Sequence, residues 1–348
     1  MDKTNPGNFF EDFTVGQVID HATPRTVTEG DRALYGALYP TRFAIPSSAA
    51  FAGSIGLSAH PVEELIGFHI AFGKTVPDIS LNAVANLGYA ECRFHRPVLP
   101  GDTLRTRSEV IGLKQNSSGK SGVVWVRSTA TDQAGEVVID WARWVMVHKR
   151  DPEAPAPETV VPDLAAVVAR DDLVLPPGLD FSSYDFAAAG EPHRLGDYEV
   201  GERIDHVDGV TLTDAEHMMA TRLWQNTAKV HFSTEARPDG ARLVYGGHVI
   251  SMARALSFNG LANAQLVAAI NAGAHTAPAF AGDTVYAWSE VLDKAELTAP
   301  DGNDSIGALR LRLVATKGRD ESMTLKGEDG KYAPGVLLDL DYWALLPR

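Results

Sequence analysis

One histidine, His231, stands in the polar stretch WQNTAKVHF (224–232), and fifteen residues further on Gly246 and Gly247 open an apolar-periodic run, GGHVISMARALSFNGLANA. An imidazole exchanges protons near neutral pH with little tuning. Two glycines at a helix start let a carbonyl oxygen approach free backbone N–H groups and the positive end of the helix dipole. Together they would serve a reaction that moves a proton while negative charge grows on an oxygen. By composition alone the same residues read as a surface histidine in a loop and a hinge before a helix. Asn226 and Gln225 could orient a water through their amides, but neither can be a base; otherwise they are solvated loop amides. No aspartate stands beside His231. Asp214 and Glu216 could supply a carboxylate, although their place is a helix N-terminus, which acidic residues favour anyway. His248, in the first turn of the glycine-opened helix, faces either a ligand or solvent.

The elements that must position these residues occur twice. FTVGQVIDHATPRTVT (13–28) returns as YEVGERIDHVDGVTLT (198–213), SLNAVAN (80–86) as SFNGLAN (257–263), and RPVLPGDTLRTRSEV (96–110) as APAFAGDTVYAWSEV (277–291). Three matches in one order mean an internal duplication. We expect an N-terminal domain over 1–150, a Pro- and acid-rich linker over 151–192 with a short helix at LAAVVAR, and a C-terminal domain over 193–348. In each half an extended segment leads to a helix capped by Thr28 or Thr213. A loop, a longer apolar helix and several strands follow. GVVWVRSTAT, VVIDWARWVMVHK and GALRLRLVATKG alternate as half-buried antiparallel strands do. Each half is therefore α+β. In the first half Pro77 should break or kink the long helix, and no histidine matches His231. One active site per chain is expected, in the second half.

His21 and His206 recur in both halves, so a structural role is expected for them. Asp102 and Asp283, in the two GDT strings, read as turn residues. GLKQNSSGKSG (112–122) looks like a phosphate-binding loop, but Lys114 stands where the first glycine is required, and the segment reads as a hairpin loop. The formal net charge of −14 argues against a nucleic-acid partner. The single cysteine, Cys92, reads as a buried core residue in a reducing compartment. No signal peptide or membrane-spanning run is visible, so a cytoplasmic protein is expected. Metal-ligand spacings and dinucleotide fingerprints are not found.

The V-G-x-x-I entry, capped helix, polar His loop, glycine-opened helix and P-x-x-x-GDT string together resemble the MaoC-like hydratases. Two such halves in one chain resemble the double-hot-dog enoyl-CoA hydratases, over nearly the whole sequence. Longer strings, among them HATPRTVTEGD, FGKTVPDISLNAVANLGYAECRFHRPVLPGDTLR and WQNTAKVHF, are similar to the branch of that family that hydrates mesaconyl-CoA. The resemblance implies a double hot-dog fold, in which two antiparallel sheets each wrap a central helix. It implies an acyl-CoA thioester as partner, no cofactor beyond the CoA of the substrate, and a homo-oligomer, a dimer. His231 becomes the acid/base, and Gly247 with Gly246 the site that polarises the thioester carbonyl. The family motif is Asp-x-Asn-Pro-x-His, and this chain departs from it: Asn226 falls at the aspartate, Ala228 at the asparagine and Lys229 at the proline. A second carboxylate on the substrate would want a cation. Arg42, Lys74, Arg222, Lys229 and the imidazole of His248 are candidates, each with a plain surface or packing role as the alternative. A non-catalytic acyl-CoA-binding or thioesterase-like protein is the rival reading.

Overall fold

The computed structural model describes residues 3–348. The alternating segments form ten strands: β1 (Val18–Thr26), β2 (Ala83–Phe94), β3 (Thr103–Gln115), β4 (Ser121–Thr131), β5 (Val137–His148), β6 (Arg203–Thr211), β7 (Leu266–His275), β8 (Thr284–Leu297), β9 (Ile306–Lys317) and β10 (Val336–Pro347). The helices are α1 (Glu29–Leu38), α2 (Ala44–Ser47), α3 (Ala49–Ser54), α4 (Glu64–Thr75), α5 (Phe186–Ala189), α6 (Asp214–Leu223), α7 (Gly246–Leu256) and α8 (Phe258–Leu261). All strands join one antiparallel sheet, ordered β1-β3-β4-β5-β2-β7-β10-β9-β8-β6. Its two halves are the two repeats, sewn together where β2 meets β7 and small residues such as Ala90 and Ala272 pair.

Each half wraps one helix. Every residue of α4 from Leu65 to Thr75 is buried, and so is every residue of α7 from Gly247 to Leu256. A helix apolar all round can only be stable inside a core, and these two share one hydrophobic cluster spanning both halves. Thr28 and Thr213 cap α1 and α6 by accepting from Asp31 N and Glu216 N. The GDT aspartates close turns, Asp102 accepting from Leu99 N (2.8 Å) and Asp283 from Phe280 N (2.9 Å). His21 and His206 bond Ser108 and Ser289 at 2.8 Å in matching places, as structural residues should. Residues 116–120 connect β3 and β4 as a hairpin loop, and Cys92 is fully buried.

Pro77 interrupts the long helix as expected, and two other local expectations need correction. At Pro77, α4 ends at Thr75 and a π turn, Val76–Ser80, absorbs the proline before β2 begins. SLNAVAN and SFNGLAN lie 177 residues apart, whereas the strands opened by Thr103 and Thr284 lie 181 apart. The two strings therefore fall on different elements: the first enters β2, while the second ends α7 and forms α8. The linker helix at 164–170 does not form. Val168 N donates instead to the Asn271 side chain (2.9 Å), and Val168 O accepts from Trp343 Nε1 (3.0 Å), so the connecting segment is laid against the sheet.

Candidate active site

Tyr245 precedes α7 without a side-chain cap, and the amide N–H groups of Gly246 and Gly247 have no acceptor among the described residues. Three rings crowd this helix end. A Cβ on Gly246 would stand 2.5 Å from the His275 ring. One on Gly247 would meet the Tyr245 ring and stand 2.7 Å from His69 Cε1. His69 belongs to α4, so both halves build this corner. Two free N–H groups at the positive end of a buried helix form an anion-stabilising site.

His231 lies on a single 3₁₀ turn, Lys229–His231, and is buried. Its Nδ1–H donates to the Leu243 carbonyl (2.7 Å). That bond fixes the tautomer and leaves Nε2 with a free lone pair. Its ring centroid lies 5.6 Å from that of Tyr245, which ties it to the start of α7. Burial pulls its pKa down to about 4, partly offset by the bond to Leu243, while the nearby His217 lowers it further. His231 is therefore a neutral base at physiological pH.

The loop before His231 is braced against the first half. A Cβ on Gly73 of α4 would collide with the Trp224 carbonyl. Gln225 has a positive φ of 52°, and its side chain, exposed, accepts from Lys74. Asn226 is buried, and its Oδ1 accepts from Ala228 N (2.9 Å). The Asn226 carbonyl oxygen is thus spent on its own turn, which leaves its N–H₂ group to act as a donor.

Sequence reasoning missed His217. It is buried on α6, its Nε2–H donates to Asp214 (3.2 Å), and its Nδ1 is buried without a partner. Asp214 also pairs with Arg242 (2.8 Å). The internal repeat carried a hint. At the 185-residue spacing of Thr28 and Thr213, His217 corresponds to Arg32 and His231 to Pro46. Arg32 donates to the carbonyls of Pro46 (3.1 Å), Pro61 (2.6 Å) and His60 (3.0 Å). A guanidinium thus stands in the first half where the second half has the His217 imidazole.

The remaining candidates separate. His248 is fully buried rather than solvent-facing, with Nδ1 3.0 Å from Tyr39 Oη and Nε2 unpartnered. Burial holds its pKa at about 3, so in the protein alone it is neutral at physiological pH. Lys74 is buried, donates to Thr23 Oγ1 (3.0 Å) as well as Gln225, and has a pKa lowered by burial and then by Arg25. Arg42 is exposed, and its guanidinium lies 4.5 Å over the Phe258 ring. Lys229 and Arg222 are exposed too. The structure brings His231, Asn226, Gly246, Gly247 and His248 to one region of the second half, Gln225 and Lys74 to its rim, and packs Arg42, which precedes α2, against Phe258 of α8.

A family profile described as mesaconyl-CoA hydratase matches residues 1–327. The chain belongs to that family. It is 67% identical over 99% of its length, and 100% of the relative, to a mesaconyl-CoA hydratase of Cereibacter sphaeroides. It is 60% identical to a beta-methylmalyl-CoA dehydratase of Chloroflexus aurantiacus, covering 99% of each chain. Among solved structures, a MaoC domain protein dehydratase of Chloroflexus aurantiacus superposes with TM-score 0.96 at 60% identity, covering 100% of this chain and 99% of that one. A Mycobacterium tuberculosis protein described as a double hotdog fold superposes with TM-score 0.75 at 25% identity over 99% of each chain. The fold is the double hot-dog that the resemblance implies, with the two expected sheets joined through β2 and β7 into one. Within the mesaconyl-CoA hydratase family, the Asn226 departure from the MaoC motif cannot be taken as the mark of a non-catalytic protein.

Proposed function

We propose that this chain is a hydro-lyase that adds water reversibly across the double bond of mesaconyl-CoA (2-methylfumaryl-CoA) to give β-methylmalyl-CoA. The likeness to relatives of that activity over 99% of the chain supports the substrate. One observation carries the chemistry: a buried imidazole with a free Nε2 stands beside a helix N-terminus with two unused N–H groups.

His231 Nε2 takes a proton from water as the water oxygen bonds to the β-carbon. The double-bond electrons move toward the thioester, and the enolate oxygen that forms is met by the N–H groups of Gly246 and Gly247. The His231 imidazolium then returns the proton to the α-carbon, so H and OH are added and nothing else is consumed. Asn226 holds the water through its N–H₂ group. His217, paired with Asp214, supplies a second imidazole whose charge bears on His231. No cofactor beyond the substrate's own CoA enters this scheme. A cytoplasmic setting and a homodimer belong to the same reading, and sedimentation of the purified chain measures the second.

The test is loss of the enoyl-thioester absorbance. Mesaconyl-CoA should lose the band rapidly with catalytic amounts of protein, and crotonyl-CoA, without the second carboxylate, slowly. An unchanged band with both sinks the proposal.

A further inference from the structure

The inward positions of β5 read Ile139, Trp141, Arg143, Val145, Val147, an arginine in the middle of an apolar row. Arg143 is 0% exposed. Its Nη2 donates to Thr75 Oγ1 (2.8 Å), with Ser80 Oγ at 3.4 Å, and its guanidinium lies 4.3 Å over the Phe72 ring. Nε and Nη1 are buried without any partner, and no carboxylate among the described residues pairs with it. A buried guanidinium without a carboxylate partner is costly, and its two unpartnered nitrogens suit an anion. Burial lowers its pKa only to about 10, so it is a cation at neutral pH.

Its position points at the site. Arg143 sits directly across from Tyr89 on β2, and Tyr89 across from Gly273 on β7. The Tyr89 hydroxyl lies 3.1 Å from His275 Nε2, and His275 is the ring against Gly246. Phe72, under the guanidinium, packs 6.0 Å from Tyr245, which flanks both Gly247 and His231. One row of aromatic side chains thus runs from the unpaired cation to the free amides of α7.

We propose that Arg143 receives the free carboxylate of the substrate, and that this pairing makes the enzyme select a dicarboxylic enoyl thioester. The inference rests on the hydratase reading above. That carboxylate is borne by the carbon that takes up water, so holding it also fixes the β-carbon toward His231. The exposed lysines and arginines serve worse, since a solvated ion pair contributes little.

The experiment compares kcat/KM for mesaconyl-CoA with that for 2-methylcrotonyl-CoA, in which a methyl group replaces the carboxylate. In Arg143→Met the ratio should fall by on the order of a hundredfold, with the loss confined to mesaconyl-CoA. Arg143→Lys, which keeps the charge but not the planar donor array, should fall in between. Equal losses on both substrates, or an unchanged ratio, overturn the assignment. Should the methionine variant not fold, the lysine variant decides, and an unchanged ratio there overturns it equally. A wild-type protein that hydrates neither thioester overturns the hydratase reading itself, a result distinct from a hydratase whose ratio ignores Arg143.

Discussion

At His231 the chemistry depends on which nitrogen carries the hydrogen. The Leu243 carbonyl holds it on Nδ1, so the lone pair faces the site from Nε2. His217 acts on the same group from a distance, because a charge on its ring would depress the His231 pKa. Removing that ring in His217→Asn should move the acid limb of kcat/KM to higher pH and lower kcat about a hundredfold. An acid limb that stays in place, with kcat unchanged, would show His217 to be packing only. His231, Gly246 and Gly247 were legible because a glycine-opened helix behind a lone histidine is a local pattern. His217, His69 and Arg143 were not. Each is brought to the site region by neighbours far away in sequence, and an arginine in an alternating strand reads as facing out until the sheet shows which face is buried.

At the scale of elements, α4 and α7 hold the site between them. Gly73 lets the Trp224 backbone rest on α4, and Gly247 lets the Tyr245 and His69 rings close on α7. A single methyl group at either place displaces the loop or the helix end by a fraction of its own size. Gly73→Ala and Gly247→Ala should each lower kcat about a hundredfold in single-turnover measurements, and near-wild-type rates in both would show that neither contact matters. Helix starts and strands followed readily from caps and alternation. The end of α4 was less readable, since Pro77 foretells an interruption but not the π turn that absorbs it. The linker failed for a different reason: its backbone groups are claimed by Asn271 and Trp343, which local propensity cannot anticipate.

Across the whole molecule, the duplication gives one sheet with two unequal halves, with Arg32 in one where the other has His217. The shared core also buries neutral histidines. Burial holds His69 and His248 at about 3 and His206, His231 and His275 at about 4. Below the ordinary value of 6.5 the unfolded chain binds protons that the fold refuses, so stability must drop as pH falls from 6.5 toward 4. Glu64, pushed up to about 8 by burial, works in the opposite sense with Glu63 and Glu191, also raised by burial, three carboxyls against six imidazoles once His217, lowered by burial too, is counted. The melting temperature should therefore decline steadily on acidification over that range, and a flat profile would contradict neutral burial of these rings. Among the described residues no helix is long and apolar enough to cross a membrane.

The central claim is that His231 moves the proton in hydration of the enoyl thioester. Progress curves of mesaconyl-CoA absorbance for wild type and His231→Asn, with matched melting temperatures, test it most directly. The account predicts the same fold and a rate on the order of a hundred to ten thousand times lower in the variant. A well-folded variant that consumes the thioester at the wild-type rate would contradict it.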